Sequence, residues 1–325
     1  MPSVTELTLS VIPSPLTRPV LSGQMAPPGV VLRTQEARSV DDNSRRMLDL
    51  EFDIGEMSLA TFTKAREQGV PLVALPLFTG RRFLQPSITV ARSAGIRDLA
   101  QLVGKRVGLP QFWMTSSVWH RLVLRQMHGV SQEQVTWVTT APERMEALGM
   151  PPGVEVRQDA SGRSPRELME AGEIDAIMSP RGGPLSPDAA QSDGDIAISG
   201  YADPVAAQRE YYEQTQIFPI MHMVVMREEV AQNDPALVVG LCDAFQRAKE
   251  VGRAEAISDA RERPLAGGTP ADVRALMGDD PWPYGVAVNR HVLEKFLQDA
   301  RDQGLVQRPM PLDDLFAPGL TESFR

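Results

Sequence analysis

Hydrophobic and polar positions change period repeatedly along the chain. Short alternating or fully apolar runs that suit strands take turns with longer stretches that suit helices. Residues 5–12, TELTLSVI, alternate apolar and polar positions and predict an opening strand. Residues 30–34, 52–57, 70–77 and 87–91 predict further strands, with helices over 39–48 and through Lys64 and Gln68 between them. A short helix over 96–103 and a strand over 106–109 follow, and then Thr115, Ser116 and Ser117 open an amphipathic helix to His128. Strands are expected at 135–138, 154–156 and 174–178, with a helix over 165–171 stopped by Gly172. Residues 181–195 are rich in Gly, Pro, Ser and Asp and read as a loop. The stretch 211–227, YYEQTQIFPIMHMVVMR, starts polar and aromatic and turns at Pro219. It ends in the apolar run 223–226, which suits a strand buried on both faces. After it the pattern is helical, over 235–254, 270–277 and 290–303.

This order of elements predicts an α/β protein with mostly parallel sheets. Two apolar strands, near 87–91 and 222–226, are separated by a complete α/β segment, and the last helices follow the second strand. That arrangement predicts an outer lobe of residues 1–88 and 222–325 and an inserted middle lobe of 89–221, joined by hinge strands. Ligands of open α/β sheets bind beyond the carboxyl ends of strands, so a cleft between the lobes is the expected site.

Composition narrows the partners. The formal charge is −9 and no basic block interrupts the mixture of acids and bases, which argues against nucleic acid. No apolar run approaches the roughly 20 residues that span a bilayer, so no membrane partner is expected. The first residues show no basic segment followed by a continuous apolar one, and a cytoplasmic location is the expectation. The single cysteine, Cys242, allows no internal disulfide and falls in a helix-like run that suggests a buried thiol. A small molecule is the expected partner, with a homo-oligomer left open.

Several polar groups fall just after predicted strands. They are Arg18, Glu56 and Ser58, Arg81 and Arg82, Thr115 to Ser117, Arg181, and His222. Histidine gives and takes a proton near neutral pH, so His222 at the mouth of an apolar strand is a candidate for proton transfer. The plainer alternative is a core histidine bonded to a carbonyl. The Thr-Ser-Ser helix start offers unpaired N–H groups to an anion, or is an ordinary cap. Arg81 and Arg82 could grip a carboxylate, with one of the two in the cleft, or form a solvated pair. Residues 277–285, MGDDPWPYG, could lay Trp282 or Tyr284 against a flat ligand while Asp279 or Asp280 orients a neighbour, or could be a packed turn. No dinucleotide fingerprint, phosphate loop or nucleophile elbow is present, and the four histidines show no zinc spacing. Nothing in the sequence calls for a metal or an organic cofactor.

Taken together, these segments resemble the 4,5-dihydroxyphthalate decarboxylase family. The resemblance is carried by residues 211–227, by MGDDPWPYG with Asn289-Arg290 after it, and by EFDIGEMS at 51–58. GKRVGLP at 104–110 with MTSSVW, GEIDA at 172–176 and the ending DLFAP add to it, over about residues 5–320. The first loop, PSPLTR at 13–18, and Gln216 in place of a glycine depart from the family pattern. The resemblance implies a type II periplasmic-binding-protein-like fold. It also implies cofactor-free loss of one carboxylate from 4,5-dihydroxyphthalate, giving protocatechuate and carbon dioxide. On that reading His222, Glu56 and Asp280 form the catalytic set, with His222 moving the proton and Glu56 or Asp280 managing the hydroxyl. Arg18 and Arg81 hold carboxylates, helped by Thr115 and Ser116, Ser58 and Arg181 also bind the substrate, and Trp282 flanks the ring. A non-catalytic binding protein for an aromatic carboxylate and a same-fold decarboxylase of another hydroxybenzoate-type acid are the alternatives.

Overall fold

The computed structural model describes residues 5–35, 37–145, 149–180, 196–260 and 262–320. Two six-stranded sheets organise it, one in each lobe. The strands are β1 (Thr5–Ser10), β2 (Val30–Thr34), β3 (Ile54–Ser58), β4 (Leu72–Ala74), β5 (Gly80–Arg81), β6 (Ile88–Ala91), β7 (Arg106–Leu109), β8 (Thr136–Thr139), β9 (Glu155–Gln158), β10 (Ala176–Met178), β11 (Ala197–Ser199) and β12 (Ile220–Arg227). The helices are α1 (Arg18–Leu21), α2 (Val40–Leu48), α3 (Leu59–Glu67), α4 (Thr115–His128), α5 (Pro165–Glu170), α6 (Pro204–Thr215), α7 (Glu228–Asn233), α8 (Pro235–Ser258), α9 (Pro270–Met277) and α10 (Val286–Asp302).

The first sheet runs β2-β1-β3-β12-β4, with β5 also on β12. Strand β1 is parallel to β2 and β3, whereas β12 is antiparallel to β3, β4 and β5. The second sheet runs β11-β6-β10-β7-β8-β9, parallel from β10 to β9 and antiparallel where β6 meets β10 and β11. Both sheets are therefore mixed, and β12 returns the chain from the second sheet to the centre of the first. A strand buried on both faces must be apolar throughout. On β12, Val224 and Met226 join the core formed with α8, while Met223 and Val225 join the larger core on the opposite face.

Local chemistry fixes the element ends. Ser39 caps α2 and Ser58 caps α3, each accepting a first-turn N–H, and Asp203 and Asp234 do the same for α6 and α8. Helix α6 takes in the first part of the 211–227 stretch, which its aromatic and polar residues did not announce; Asp203-Pro204 supplies the start and left-handed Gln216 the stop. The strand expected over 70–77 shrinks to Leu72–Ala74, because the flanking Pro71 and Pro76 have no N–H for a ladder. The helix expected over 96–103 is a 3-10 turn, Leu99–Leu102, held by an Asp98 capping box. Met114, not a hydroxyl residue, is the N-cap of α4, and it makes no side-chain cap bond. The expected loop at 181–195, with Arg181, lies outside the described residues. No helix among the described residues is long and apolar enough to cross a membrane.

Candidate active site

Strands β3 and β12 lie side by side with His222 opposite Ser58 and Val224 opposite Glu56. Residues two apart on a strand share a face, so Glu56 and His222 point the same way from neighbouring strands. They meet: the ring Nδ1 donates to Glu56 Oε1 at 3.0 Å. A carboxylate carries no proton, so this bond places the proton on Nδ1 and leaves Nε2 as the atom available to a ligand. The other oxygen, Oε2, accepts the Ile12 N–H at 2.8 Å. Glu56 is 2 % exposed, whereas the His222 side chain is 31 % exposed. A buried carboxylate with both oxygens engaged thus holds one edge of a partly exposed imidazole. The Ile12 donor is itself fixed, because Thr17 Oγ1 donates to Ile12 O at 2.8 Å and accepts the Ser14 N–H at 2.9 Å.

The two lobes touch beside this pair. Thr115 Oγ1, at the start of α4, accepts the Ala60 N–H at 2.9 Å and lies 3.1 Å from Ser58 Oγ. Ser116 is buried and its hydroxyl finds no partner among the described residues, while Ser117 Oγ donates to Gln111 O at 2.8 Å. Arg144 reaches across from the second lobe to Asp41, with Nη1 donating to Thr61 Oγ1 at 3.4 Å. The approach to α4 is rigidly held. Glu143 accepts the Phe112 and Trp113 N–H groups, and Arg121 donates to Phe112 O at 2.8 Å from above the Phe112 ring.

The remaining candidates divide. Arg81 is half-buried, and its Nη2 donates to Asn289 Oδ1 at 2.5 Å and Pro283 O at 2.9 Å. Its Nε has no partner among the described residues, and no carboxylate bonds to it directly. Burial lowers its pKa to about 10, opposed by the nearby Tyr284 and Asp280. Arg82 is exposed and donates to Pro180 O in the second lobe. Arg18 has a 59 % exposed side chain that pairs with Glu255 on α8 at 3.1 Å. Asp280 binds Lys249 Nζ at 2.5 Å and accepts the Trp282 N–H at 3.1 Å, so both oxygens are occupied. Trp282 is 3 % exposed and packed in the core, with its carbonyl also on Lys249.

Three groups near the pair carried little or no signal in the sequence. Tyr284 is buried, its hydroxyl has no partner among the described residues, and burial followed by the Glu56 charge pushes its pKa up. Glu262 is half-buried, and its carboxyl is raised above its ordinary range by burial, then by Asp259 and Glu56, against the pull of Arg82. Gly80 lies against the His222 ring. Of the three, only Tyr284, inside the 277–285 segment, was a candidate from the sequence. The other histidines do other work: His120 is buried against Ser87 with burial lowering its pKa to about 3, His128 meets Tyr201 and His291 meets Gln216 O. Among the described residues no group of three or more His, Cys, Asp or Glu is arranged to hold a metal ion.

No protein-family model matches the chain. A curated 4,5-dihydroxyphthalate decarboxylase from Comamonas testosteroni is 31 % identical over 334 aligned residues, covering 99 % of both chains. A second protein of that name, from Pseudomonas putida, is 33 % identical over 172 residues, half of this chain and 66 % of its own. Among solved structures, the alkanesulfonate-binding protein SsuA of Xanthomonas axonopodis pv. citri superposes with a TM-score of 0.55 at 17 % identity, over 98 % of each chain. A serine-for-cysteine mutant of DszB in complex with biphenyl-2-sulfinic acid gives 0.57 at 16 % identity, over 97 % of each chain. These two likenesses establish the two-lobed binding-protein fold and nothing further. The full-length relationship in sequence is what decides the family: this chain belongs to the 4,5-dihydroxyphthalate decarboxylases.

Proposed function

We propose that the protein removes one carboxylate from 4,5-dihydroxyphthalate, giving protocatechuate and carbon dioxide, with His222 as the proton-transfer residue. The observation that carries the mechanism is the bond from Nδ1 to a buried Glu56 carboxylate, which leaves Nε2 as the nitrogen not engaged by Glu56. Loss of carbon dioxide from an arene would leave an unstable aryl carbanion. Protonating the ring first avoids it. A hydroxyl para to the leaving carboxylate gives up its proton and pushes electron density to the carbon bearing that carboxylate. Protonated His222 delivers the Nε2 proton to this carbon. The bond to the carboxylate then breaks, its electron pair restores the aromatic ring, and carbon dioxide departs. Glu56 compensates the positive charge carried by the imidazolium.

The other roles follow from which groups are already engaged. Glu56 and Asp280 have both oxygens occupied, so neither manages the substrate hydroxyl in this reading. Glu262, raised by burial and close enough to sense Glu56 and Arg82, takes that proton. Arg81 is a half-buried cation whose direct acceptors are carbonyl dipoles and an amide, so a substrate carboxylate supplies a countercharge. Thr115 and Ser116 lie at the start of α4, where N–H groups favour an anion. A solute-binding protein would need no carboxylate fixing the tautomer of an imidazole, which favours the enzyme. The test is carbon dioxide release from 4,5-dihydroxyphthalate by the wild type and by His222→Ala. The variant should bind substrate and release none. Turnover by the variant would remove His222 from its role, and binding without turnover by the wild type would support the receptor.

A further inference from the structure

Strand β5 is two residues long and lies on the start of β12, with Gly80 paired to His222 and Arg81 to Ile220. The register is irregular between Ile220 and His222. At that irregularity the imidazole lies over the Gly80 backbone. A Cβ built on Gly80 would stand 2.5 Å from His222 Nδ1, 2.8 Å from Cγ and 3.0 Å from Cβ. Non-bonded carbon and nitrogen atoms rest at about 3.5–4.0 Å, so the ring fills the volume a side chain at position 80 would need. Many glycines of this chain sit at positive φ, but Gly80 does not. Backbone conformation therefore does not require glycine there; space for the ring does.

The crowded atom matters. Nδ1 is the nitrogen that donates to Glu56, and Glu56 is anchored in turn by the Ile12 N–H. The carboxylate has no room to follow a displaced ring without giving up that donor. A side chain at position 80 would leave the imidazole one escape, rotation away from β5, which breaks the bond to Glu56. We propose that Gly80 is a positioning residue: its missing side chain lets the His222 ring seat against β5 with Nδ1 on Glu56, and so presents Nε2 to the substrate. The consequence for catalysis rests on the proton-transfer reading of His222, whereas the seating of the ring does not.

The test uses the full chain and the variants Gly80→Ala, His222→Ala and the double variant. Nitrogen-15 spectra of histidine-labelled protein, with ring 222 identified by its loss in His222→Ala, report which nitrogen carries the proton. The wild type should show an exchange-protected Nδ1–H, and Gly80→Ala should lose it. With 4,5-dihydroxyphthalate, kcat should fall about 10- to 100-fold, as a misplacement near 1 Å does, with KM changed less than about threefold. A protected Nδ1–H and wild-type kcat in Gly80→Ala would overturn the proposal. Melting temperatures keep it testable if the single variant folds poorly. Removing the ring removes the clash, so Gly80→Ala should lower the melting temperature in the wild-type background and hardly at all in the His222→Ala background. Equal losses in both backgrounds would show that Gly80 serves the strand and not the ring. If the wild type releases no carbon dioxide, the decarboxylase reading falls alone, and the spectra and melting cycle still decide Gly80.

Discussion

Replacing Glu56 with glutamine separates holding the imidazole from charging it. The carboxylate accepts two donors, the Ile12 N–H at 2.8 Å and His222 Nδ1–H at 3.0 Å. An amide has one oxygen and one NH2. The backbone N–H cannot change its role, so the amide oxygen turns to Ile12 and the NH2 faces the ring. Nδ1 then has to accept, which moves the neutral ring's proton to Nε2 and reverses the tautomer. Two charge-assisted bonds, about 1.5–3 kcal/mol each, become neutral ones of about 0.5–1.5, a loss near 2 kcal/mol. At 2 % exposure the neutral amide is also cheaper to bury than a carboxylate, which offsets much of that loss. Glu56→Gln should therefore melt within about 1 kcal/mol of the wild type. Its turnover should fall about 10²- to 10⁴-fold, the range general acid–base catalysis supplies. Glu56→Leu leaves the Ile12 N–H and Nδ1 both unpaired and should be less stable by about 1–3 kcal/mol for each. Thermal melts and carbon dioxide release measure both halves. A Glu56→Gln variant that folds and turns over within about threefold of the wild type would refute the orienting role.

Two structural predictions concern the frame around the pair. A Cβ at Gly252, within α8, would stand 1.8 Å from Pro15 O, and a backbone atom yields little. Gly252→Ala should therefore destabilise by about 1–3 kcal/mol, although alanine in an open helix would gain about 1. Because the same loop carries Ile12, kcat should fall too; a variant more stable than the wild type would reject the close packing. Gln216 ends α6 at φ 54°. Comparing Gln216→Gly with Gln216→Ala isolates that backbone, and glycine should be the more stable by about 1 kcal/mol in a melt or denaturant titration. An alanine variant of equal or greater stability would count against it.

The residues that signalled the site did so through position. His222 and Glu56 were legible as polar residues beside apolar ones, although both lie within strands, β12 and β3, and not just after them; the run at 223–226 told correctly of burial on both faces. Their partnership was not legible. The two lie 166 positions apart, and only the pairing of β12 with β3 makes them neighbours. Asp280 and Trp282 illustrate the converse. Their rigid segment stood out, but its acid is bonded to the Lys249 ammonium, which the helical pattern of α8 hides. Arg18 follows a strand as expected, yet its loop turns into α1 and directs it to α8.

The sequence by itself determined the alternation of strands and helices, the return strand and the family pattern, because apolar periodicity, proline and capping residues act over a few neighbours. The tertiary structure alone decided that Nδ1 of His222 meets Glu56, that both oxygens of Glu56 and of Asp280 are engaged, and that the imidazole fills the space beside Gly80. Those properties depend on register between strands distant in the chain, and on contacts of a few ångströms that no local pattern encodes.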